Sequence, residues 1–461
     1  MIFKKRAEED FRVKEITSQQ MKDVISRCAD MYRGVPYWVS AEDNIKTINF
    51  AKAVCSETAR LATLGIKIQI GGARGTWLQE QIDKVYFNLR HWVEYGCAYG
   101  TVIVKPNGSG FDVFTPFGFM ITESDSNSNI TGIIFKDSYA DNDRYYTRLE
   151  YHYFDSSHPE GFRPYYIRNK AYMSHSSQSM GDPIALARTK WADLMEDSGP
   201  IMKTSGEQLD GPMFGVFRTP QANNVDLGTA LGLPIYADAI EEMKDLDIAY
   251  SRNAGEIFDS EKIILADDRL MYDSGKNLKT RGLADVKLPH YVKNVFGNSP
   301  EEFYQEINPQ LNTDTRLSGI NALLSQIGYK CGFSNGYFVF NEATGIQTAT
   351  GVEAEQQRTV QLVKDVRDKL EACLNGAIYA MSVYADLYNL APVGNYEVVY
   401  DFGDILYSHE ADKQQWYAYA VQNRIPFWYY LVKFEGFTKE EARALVEEAQ
   451  PAEQPGLFGE E

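Results

Sequence analysis

The longest run of ordered periodicity in the chain lies between Thr350 and Tyr388. Val363, Val366, Leu370, Leu374, Ala377, Met381, Tyr384 and Tyr388 recur there at steps of three and four, which predicts one long helix with an apolar stripe. Thr350 with Glu353 reads as its capping box, and Asp365 with Lys369 and Lys364 with Asp368 as i,i+4 pairs on its outer face. Gly376 is the expected place for a bend and Pro392 the expected stop.

Two further helical patterns precede it. One, at 233–259, carries Ile235, Ala239, Ile240, Met243, Leu246, Tyr250 and Ile257, with Pro234 early in it. The other, at 313–331, carries Leu317, Ile320, Leu324, Ile327 and Cys331. Between them lies an insert with a short apolar strand (Ile263–Leu265), a basic middle and Phe303–Ile307. Residues 335–349 read as a loop with aromatics, few charges and Gly/Thr punctuation.

Upstream, residues 5–33, 44–64 and 79–95 read as helices, and 66–70 as a strand before a Gly-rich turn. After Gly96 the period changes to two. Segments 101–105, 111–114, 119–122, 130–137, 145–154 and 165–169 read as successive antiparallel strands, with a short helix near 184–195 and extended structure again at 216–219. Past the long helix, 396–402 reads as a strand. Segments 412–422 and 438–449 read as helices, the last with a capping box at Thr438 and Glu441. The fold class is therefore α+β.

Composition narrows the function. The 461 residues are 44% hydrophobic and 24% charged, an ordinary globular balance. The net charge of −18 excludes a simple electrostatic nucleic-acid binder, though not a protein that surrounds DNA without gripping it. Five scattered cysteines (Cys28, Cys55, Cys97, Cys331, Cys373) read as free thiols in a reducing compartment. Neither a signal peptide nor a membrane span is apparent, so cytoplasm-like solvent is expected.

No catalytic or cofactor motif stands out, and neither cofactor nor metal is expected. GxxxxGK[ST], HExxH and zinc-type Cys/His spacings are missing. Gly71-Gly72-Ala73-Arg74-Gly75 fits a strand-to-helix turn better than a phosphate cradle. Residues 125–129 (DSNSN) open like a calcium loop, but Ile130 replaces the needed glycine, so a polar hairpin tip is expected. The histidines look isolated, and the pairs Glu241-Glu242 and Asp267-Asp268 look solvated rather than catalytic.

What remains is the order of elements, and it resembles the portal proteins of tailed double-stranded DNA bacteriophages. The closest local likeness runs from Gly332-Phe333-Ser334 through Phe338-Val339-Phe340-Asn341 to Thr344-Gly345-Ile346-Gln347-Thr348-Ala349-Thr350 and Glu353. Ala98-Tyr99-Gly100 and Tyr400-Asp401-Phe402 before Asp404 add to it. Gly351 and the acidic run at 401–404 are small departures.

The resemblance implies a portal fold: an α/β wing at 1–232 and 391–407, with the helix 350–390 as its spine. Stem helices would occupy 233–260 and 312–334, an α/β clip 261–311, a tunnel loop 335–349 and a helical crown 408–461. It implies a homo-oligomeric ring, usually of twelve subunits, at one capsid vertex of the virion, assembled in the host cytoplasm. This head–tail connector would be the conduit for DNA packaging and genome ejection. Its partners would be double-stranded DNA passing non-specifically, terminase, a head–tail adaptor, the major capsid protein and scaffold, with no membrane.

Within that frame Asn335, Asn341, Glu342, Thr344, Gln347 and Thr348 would face DNA. The segment Tyr337–Phe340 reads either as a core strand or as aromatics packed between neighbouring loops. Lys276, Lys279, Arg281 and Lys287, the most basic local cluster, would meet an acidic partner surface. Lys330 is a lumen candidate, with an ordinary solvated lysine as its alternative. Two other readings stay open: a scaffold or tail-structure protein, and a carbohydrate-acting enzyme using Tyr/Trp platforms and two carboxylates.

Overall fold

The computed structural model describes residues 2–108, 110–157, 161–259, 263–266, 272–273, 276–277, 304–307, 312–339, 349–403, 416–417, 419–421, 426–434 and 439–448. It has two compact units. One comprises Met1–Gly345 and Glu355–Gly403, the other Ile346–Ala354 and Asp404–Glu461.

The first unit is built around a six-stranded antiparallel sheet. β4 (Phe119–Ser124), β5 (Ile130–Asp141), β6 (Arg144–Phe154), β7 (Tyr165–Ser174) and β8 (Asp182–Ile184) follow in order, and β9 (Asp197–Ile201) also pairs with β7. Strand alternation sends Met120, Ile134, Leu149 and Tyr151 to one face, which α1 (Ile2–Phe11) covers with Phe3, Ala7 and Phe11. The other face sends Phe119, Ile121, Ile133 and Phe135 against Ile103, Phe114, Phe214 and Leu233. There it meets a second sheet, ordered β10 (Gly215–Arg218), β2 (Thr101–Pro106), β3 (Phe111–Phe114).

Helices α2 (Gln19–Tyr32), α3 (Phe50–Ala62), α4 (Gly75–Val85) and α5 (Leu89–Tyr99) complete the N-terminal part. The pattern at 5–33 is thus split: Ser18 accepts the Met21 N–H at 3.2 Å and starts α2 anew. The pattern at 44–64 begins late, at Asn49, whose side chain caps α3. The one at 79–95 is two helices joined by a 3₁₀ turn, Tyr86–Asn88. The short helix expected near 184–195 is only a 3₁₀ turn, Leu186–Arg188, because β8 and β9 claim its flanks for the sheet.

The long helix α8 (Ala349–Tyr388, after α6 and α7 below) has 40 residues, roughly 60 Å at about 1.5 Å each. Val363, Val366, Leu370, Leu374, Ala377 and Met381 are buried, and so are Cys373, Ile378, Ala380 and Ala385 on its other faces. Tyr388 is exposed. Backbone helicity from Ala349 puts Thr350 inside the first turn rather than at its cap. The helix runs uninterrupted through Gly376, whose role is contact rather than a break. A Cβ there would lie 2.9 Å from the Gly215 Cα, and one on Gly215 would lie 2.0 Å from the Cys373 carbonyl oxygen. Two glycines let β10 cross the helix backbone to backbone.

The stop comes before Pro392. Asn389 adopts φ 52°, and the Leu390 N–H returns to the Ala385 carbonyl at 3.0 Å, a Schellman closure. Pro392 instead offers its carbonyl to Arg74 Nε at 2.9 Å. Asp365 accepts from Gln361 at 2.8 Å, and neither expected i,i+4 ion pair is among those of the described residues. β15 (Tyr396–Asp401) pairs antiparallel with β1 (Lys67–Gly72).

In the second unit, α9 (Phe427–Phe434) and α10 (Lys439–Glu448) pack together. Trp416 stacks on Tyr429 with ring centroids 5.8 Å apart, and the Arg443 guanidinium lies 4.8 Å from the Trp428 ring centroid. α9 is a helix that the sequence pattern did not suggest. The Thr438–Glu441 capping box lies outside the described residues.

Candidate functional site

The elements that carry the expected function are the helix pair, the turn after it and the long helix. α6 (Ile240–Asp259) starts later than its apolar pattern, because Pro234–Ala239 forms turns and a 3₁₀ segment first. α7 (Thr313–Lys330) matches its pattern closely. The two run antiparallel: Lys330, at the end of α7, reaches back to the start of α6. Its ammonium donates to Glu242 Oε1 at 2.5 Å and to the Asp238 carbonyl at 2.9 Å. Glu242 is therefore not a solvated carboxylate. Its side chain is 16% exposed, and its second oxygen is buried without a partner. At the other end the insert opens and closes as a two-stranded ribbon, β11 (Ile263–Ala266) with β14 (Tyr304–Ile307). A second, shorter hairpin pairs β12 (Tyr272–Asp273) with β13 (Lys276–Asn277).

The base of the pair is strapped to the body through Asp247. Trp38 Nε1 donates to Asp247 Oδ2 at 2.9 Å, and the Ile48 N–H to Oδ1 at 3.0 Å. Both carboxylate oxygens of a buried aspartate are thus satisfied.

The turn after α7 is anchored inside the same chain. Gly332 at φ 92° and the Phe333 N–H to the Gly328 carbonyl at 2.9 Å close the helix as another Schellman motif. Ser334 and Thr359 of α8 exchange hydrogen bonds: Ser334 N–H to Thr359 Oγ1 at 2.9 Å, Thr359 N–H to Ser334 Oγ at 3.2 Å. Phe338 packs edge-on against Phe333 at 4.8 Å and Phe50 of α3 at 5.1 Å. The Tyr337 hydroxyl donates to Glu57, which also accepts from Arg60 Nε at 2.8 Å. Burial and Glu57 push the Tyr337 phenol up to about 12, so it stays a donor, while Arg60 holds the Glu57 carboxyl below its usual range. Tyr337 and Phe338 are therefore turn residues docked within the same chain, not a strand. Asn335 is exposed at the tip of this turn. Asn341, Glu342, Thr344, Gln347 and Thr348 lie outside the described residues, as do Lys279, Arg281 and Lys287. Lys276 is described only as backbone of β13.

Two polar groups that the sequence reading passed over hold the body to the long helix. Arg74, 2% exposed, donates to the Ser382 carbonyl at 2.8 Å, to Ser382 Oγ at 2.7 Å and to Asp386, besides Pro392. The GGARG turn thus exists to deliver a guanidinium to the end of α8.

The second is a charged knot between the sheets. Arg148, Glu150 and His152 alternate on the inner face of β6. Glu150 accepts from Lys105 of β2 at 2.6 Å, from Arg148 at 2.9 Å and from His152 Nε2 at 2.9 Å. With Nε2 protonated, His152 Nδ1 accepts the Tyr165 hydroxyl at 2.8 Å, and the Tyr165 oxygen accepts the Met213 N–H at 3.2 Å. The carboxyl of Glu150 sits well below its ordinary value: burial opposes this, and Lys105, Arg148 and His152 outweigh it. Burial lowers the basicity of His152. A carboxylate–imidazole–phenol chain resembles a general-base relay, but every member is buried, so no substrate reaches it. The signal was readable: three polar residues at i, i+2, i+4 in a strand otherwise lined by aromatics.

All five cysteines are buried free thiols. Among the described residues no cluster of three or more His, Cys, Asp or Glu could hold a metal, and no helix is long and apolar enough to cross a membrane.

No family model matches the chain, and no curated protein matches it. Among the solved structures similar to it are two at 10% identity, each over 92% of this chain and 93% of theirs. One is from the virion of a native gene transfer agent particle, with a TM-score of 0.40. The other is from the neck of an empty gene transfer agent particle analysed with C6 symmetry, with a TM-score of 0.42.

Proposed function

We propose that the chain is a portal-type subunit. It assembles into a closed ring, of twelve copies by family resemblance, at one capsid vertex, through which the genome is packaged and ejected. One observation carries the reading. An antiparallel helix pair, closed at its far end by a β-ribbon insert, leads through an anchored turn into a 40-residue helix whose middle is the spine of an α/β body. Such a subunit offers a body for ring contacts, an arm with an insert at its tip, and a loop between arm and spine.

In this reading 1–232 and 391–407 belong to the wing, 233–260 with α6 and 312–334 with α7 to the stem, and 261–311 to the clip. There Lys276, Lys279, Arg281 and Lys287 meet an acidic surface of terminase or adaptor, an attraction that salt weakens. Loop 335–349 is the tunnel loop. Asn335, Asn341, Thr344, Gln347 and Thr348 give it short polar groups that touch phosphates without a cationic grip, and Glu342 is its one formal charge. Lys330, bound to Glu242, acts as a clasp of the helix pair, and its charge is largely spent before it reaches DNA. A chain of net charge −18 suits a conduit, since each neutralised phosphate adds counterion-release affinity and slows passage.

End-on electron microscopy of the purified protein tests this. Closed rings with an axial channel wide enough for a duplex are expected. A stable monomer at micromolar concentration overturns the reading, and a solid assembly without a channel favours a scaffold or tail role.

A further inference from the structure

A cleft of about 470 Å³ opens on the body between the β4–β5 turn, the segment before β10 and the middle of α8. Phe154, Leu209, Phe214 and Val216 give it an apolar stretch of wall among polar residues. Two arginines line it, Arg163 and Arg218, with two aspartates, Asp125 and Asp210. The carboxylates are already engaged. Asp125 Oδ1 takes the Asn127 and Asn129 N–H groups at 2.9 and 2.8 Å, and its Oδ2 takes the Asn129 amide at 2.9 Å. Asp210 is held by the Lys203 ammonium at 2.6 Å. The guanidiniums are not: among the described residues neither has a hydrogen-bond or ion-pair partner. Arg163 is fixed at the mouth by its backbone N–H, which donates to Gln208 Oε1 at 2.9 Å. Arg218 sits half-buried on the edge strand β10, where burial lowers its basicity against the weak pull of Asp125.

A half-buried guanidinium with five unused donors is costly to keep unless an anion completes it. The recess is far too small to admit a DNA duplex, and its apolar stretch beside the arginines suits a carboxylate side chain with apolar neighbours rather than a phosphate backbone. We infer that this cleft receives a carboxylate-bearing, partly apolar segment of a second copy of this chain, with Arg218 and Arg163 clamping the carboxylate. The inference rests on the ring reading. A ring needs two different complementary surfaces on each subunit, and a neighbour carrying 64 acidic against 46 basic residues supplies the anion. Arginine is the suitable residue, since its planar fork matches a carboxylate with two parallel bonds.

The test uses the assembled full-length protein with a benzophenone amino acid at the exposed Gln208. Irradiation should give a dimer-sized product whose two peptides both come from this chain. In parallel, the double variant Arg163→Glu, Arg218→Glu should keep the far-UV spectrum and melting behaviour of the wild type, yet need about tenfold more protein to half-assemble. Oligomeric wild type with no such cross-link, or with one lost on adding short duplex DNA, overturns the inference and leaves the ring reading intact. So does undiminished assembly of the double variant. Monomeric wild type overturns both. If the double variant misfolds, the cross-link in the wild-type background decides.

Discussion

The α/β body and the helix pair α6–α7 are built to different degrees of completion. In the body, the central charged groups meet most of their partners within one chain: Glu150 has three, and Arg74 is held by Ser382, Asp386 and Pro392, while Arg148 Nε stays buried without one. In the helix pair, burial is confined to the end nearest the body. Beyond Asp247 no described residue of α6 is fully buried, and before Ile320 none of α7 is. Tyr250 and Tyr329 are exposed. Two helices cannot cover all of each other's apolar flank, so the outer part of the stripe is left incompletely covered. The body buries its elements on several sides, whereas the outer part of the helix pair is covered on one side only.

The largest effect should come from breaking the knot. Glu150→Ala leaves Lys105 as a buried, unpaired cation and Arg148 with only Asp137 at 3.8 Å, and should cost about 3–5 kcal/mol in urea unfolding of the body. Replacing all three charged residues together with apolar ones should cost clearly less than the single change. If the triple variant is the worse of the two, the knot contributes net stability of its own.

Next is the helix crossing. Gly215→Ala puts a methyl group against the Cys373 carbonyl and should lower stability by about 2–3 kcal/mol. Gly206→Ala, at a glycine whose Cβ would meet nothing, tests backbone strain alone and should cost less.

Acidification should strike the body in two stages. His152 is kept neutral in the fold, so the unfolded chain binds the extra proton and stability falls as pH drops below about 6.5, the ordinary histidine value. Glu150 stays ionised in the fold, so its contribution is fully present above about 4.3 and is lost as pH falls further. His152→Gln should flatten the first stage, by about 1 kcal/mol between pH 7 and 5.5, and leave the second. Equal slopes in variant and wild type would remove His152 from the account.

The smallest effect should come from the clasp. Lys330→Ala should cost about 1 kcal/mol or less, since the pair is partly exposed. Hydrogen exchange gives a finer reading. Amides of α6 past Asp247 and of α7 before Ile320 should exchange faster than those of β5 and β6 in a dissociated subunit, and slow on assembly. Equal protection in both states would mean that the helix pair is complete without neighbours.

The element types were legible because burial imposes a period. The 3.6-residue stripe at 363–381, the alternation at 130–154 and the apolar run at 317–327 each matched an element, since one face of each packs on a core. The α+β class followed from that alone. Ends were less legible: the end of α7 was read to within a residue, but Ser18, which starts α2 anew, was read through as part of one helix. At Asn389, a residue any turn could use, the stop was missed and assigned to Pro392. What the sequence could not express is which distant groups meet. Arg74 finds Ser382, and Lys105 finds Glu150, only because sheets and helix are stacked. Gly376 looked like a hinge because glycine loosens an isolated helix. In the fold it is the point of closest approach, because a second backbone, that of Gly215, occupies the space a side chain would fill. Periodicity records which face of an element is buried, and only the packed structure decides what it is buried against.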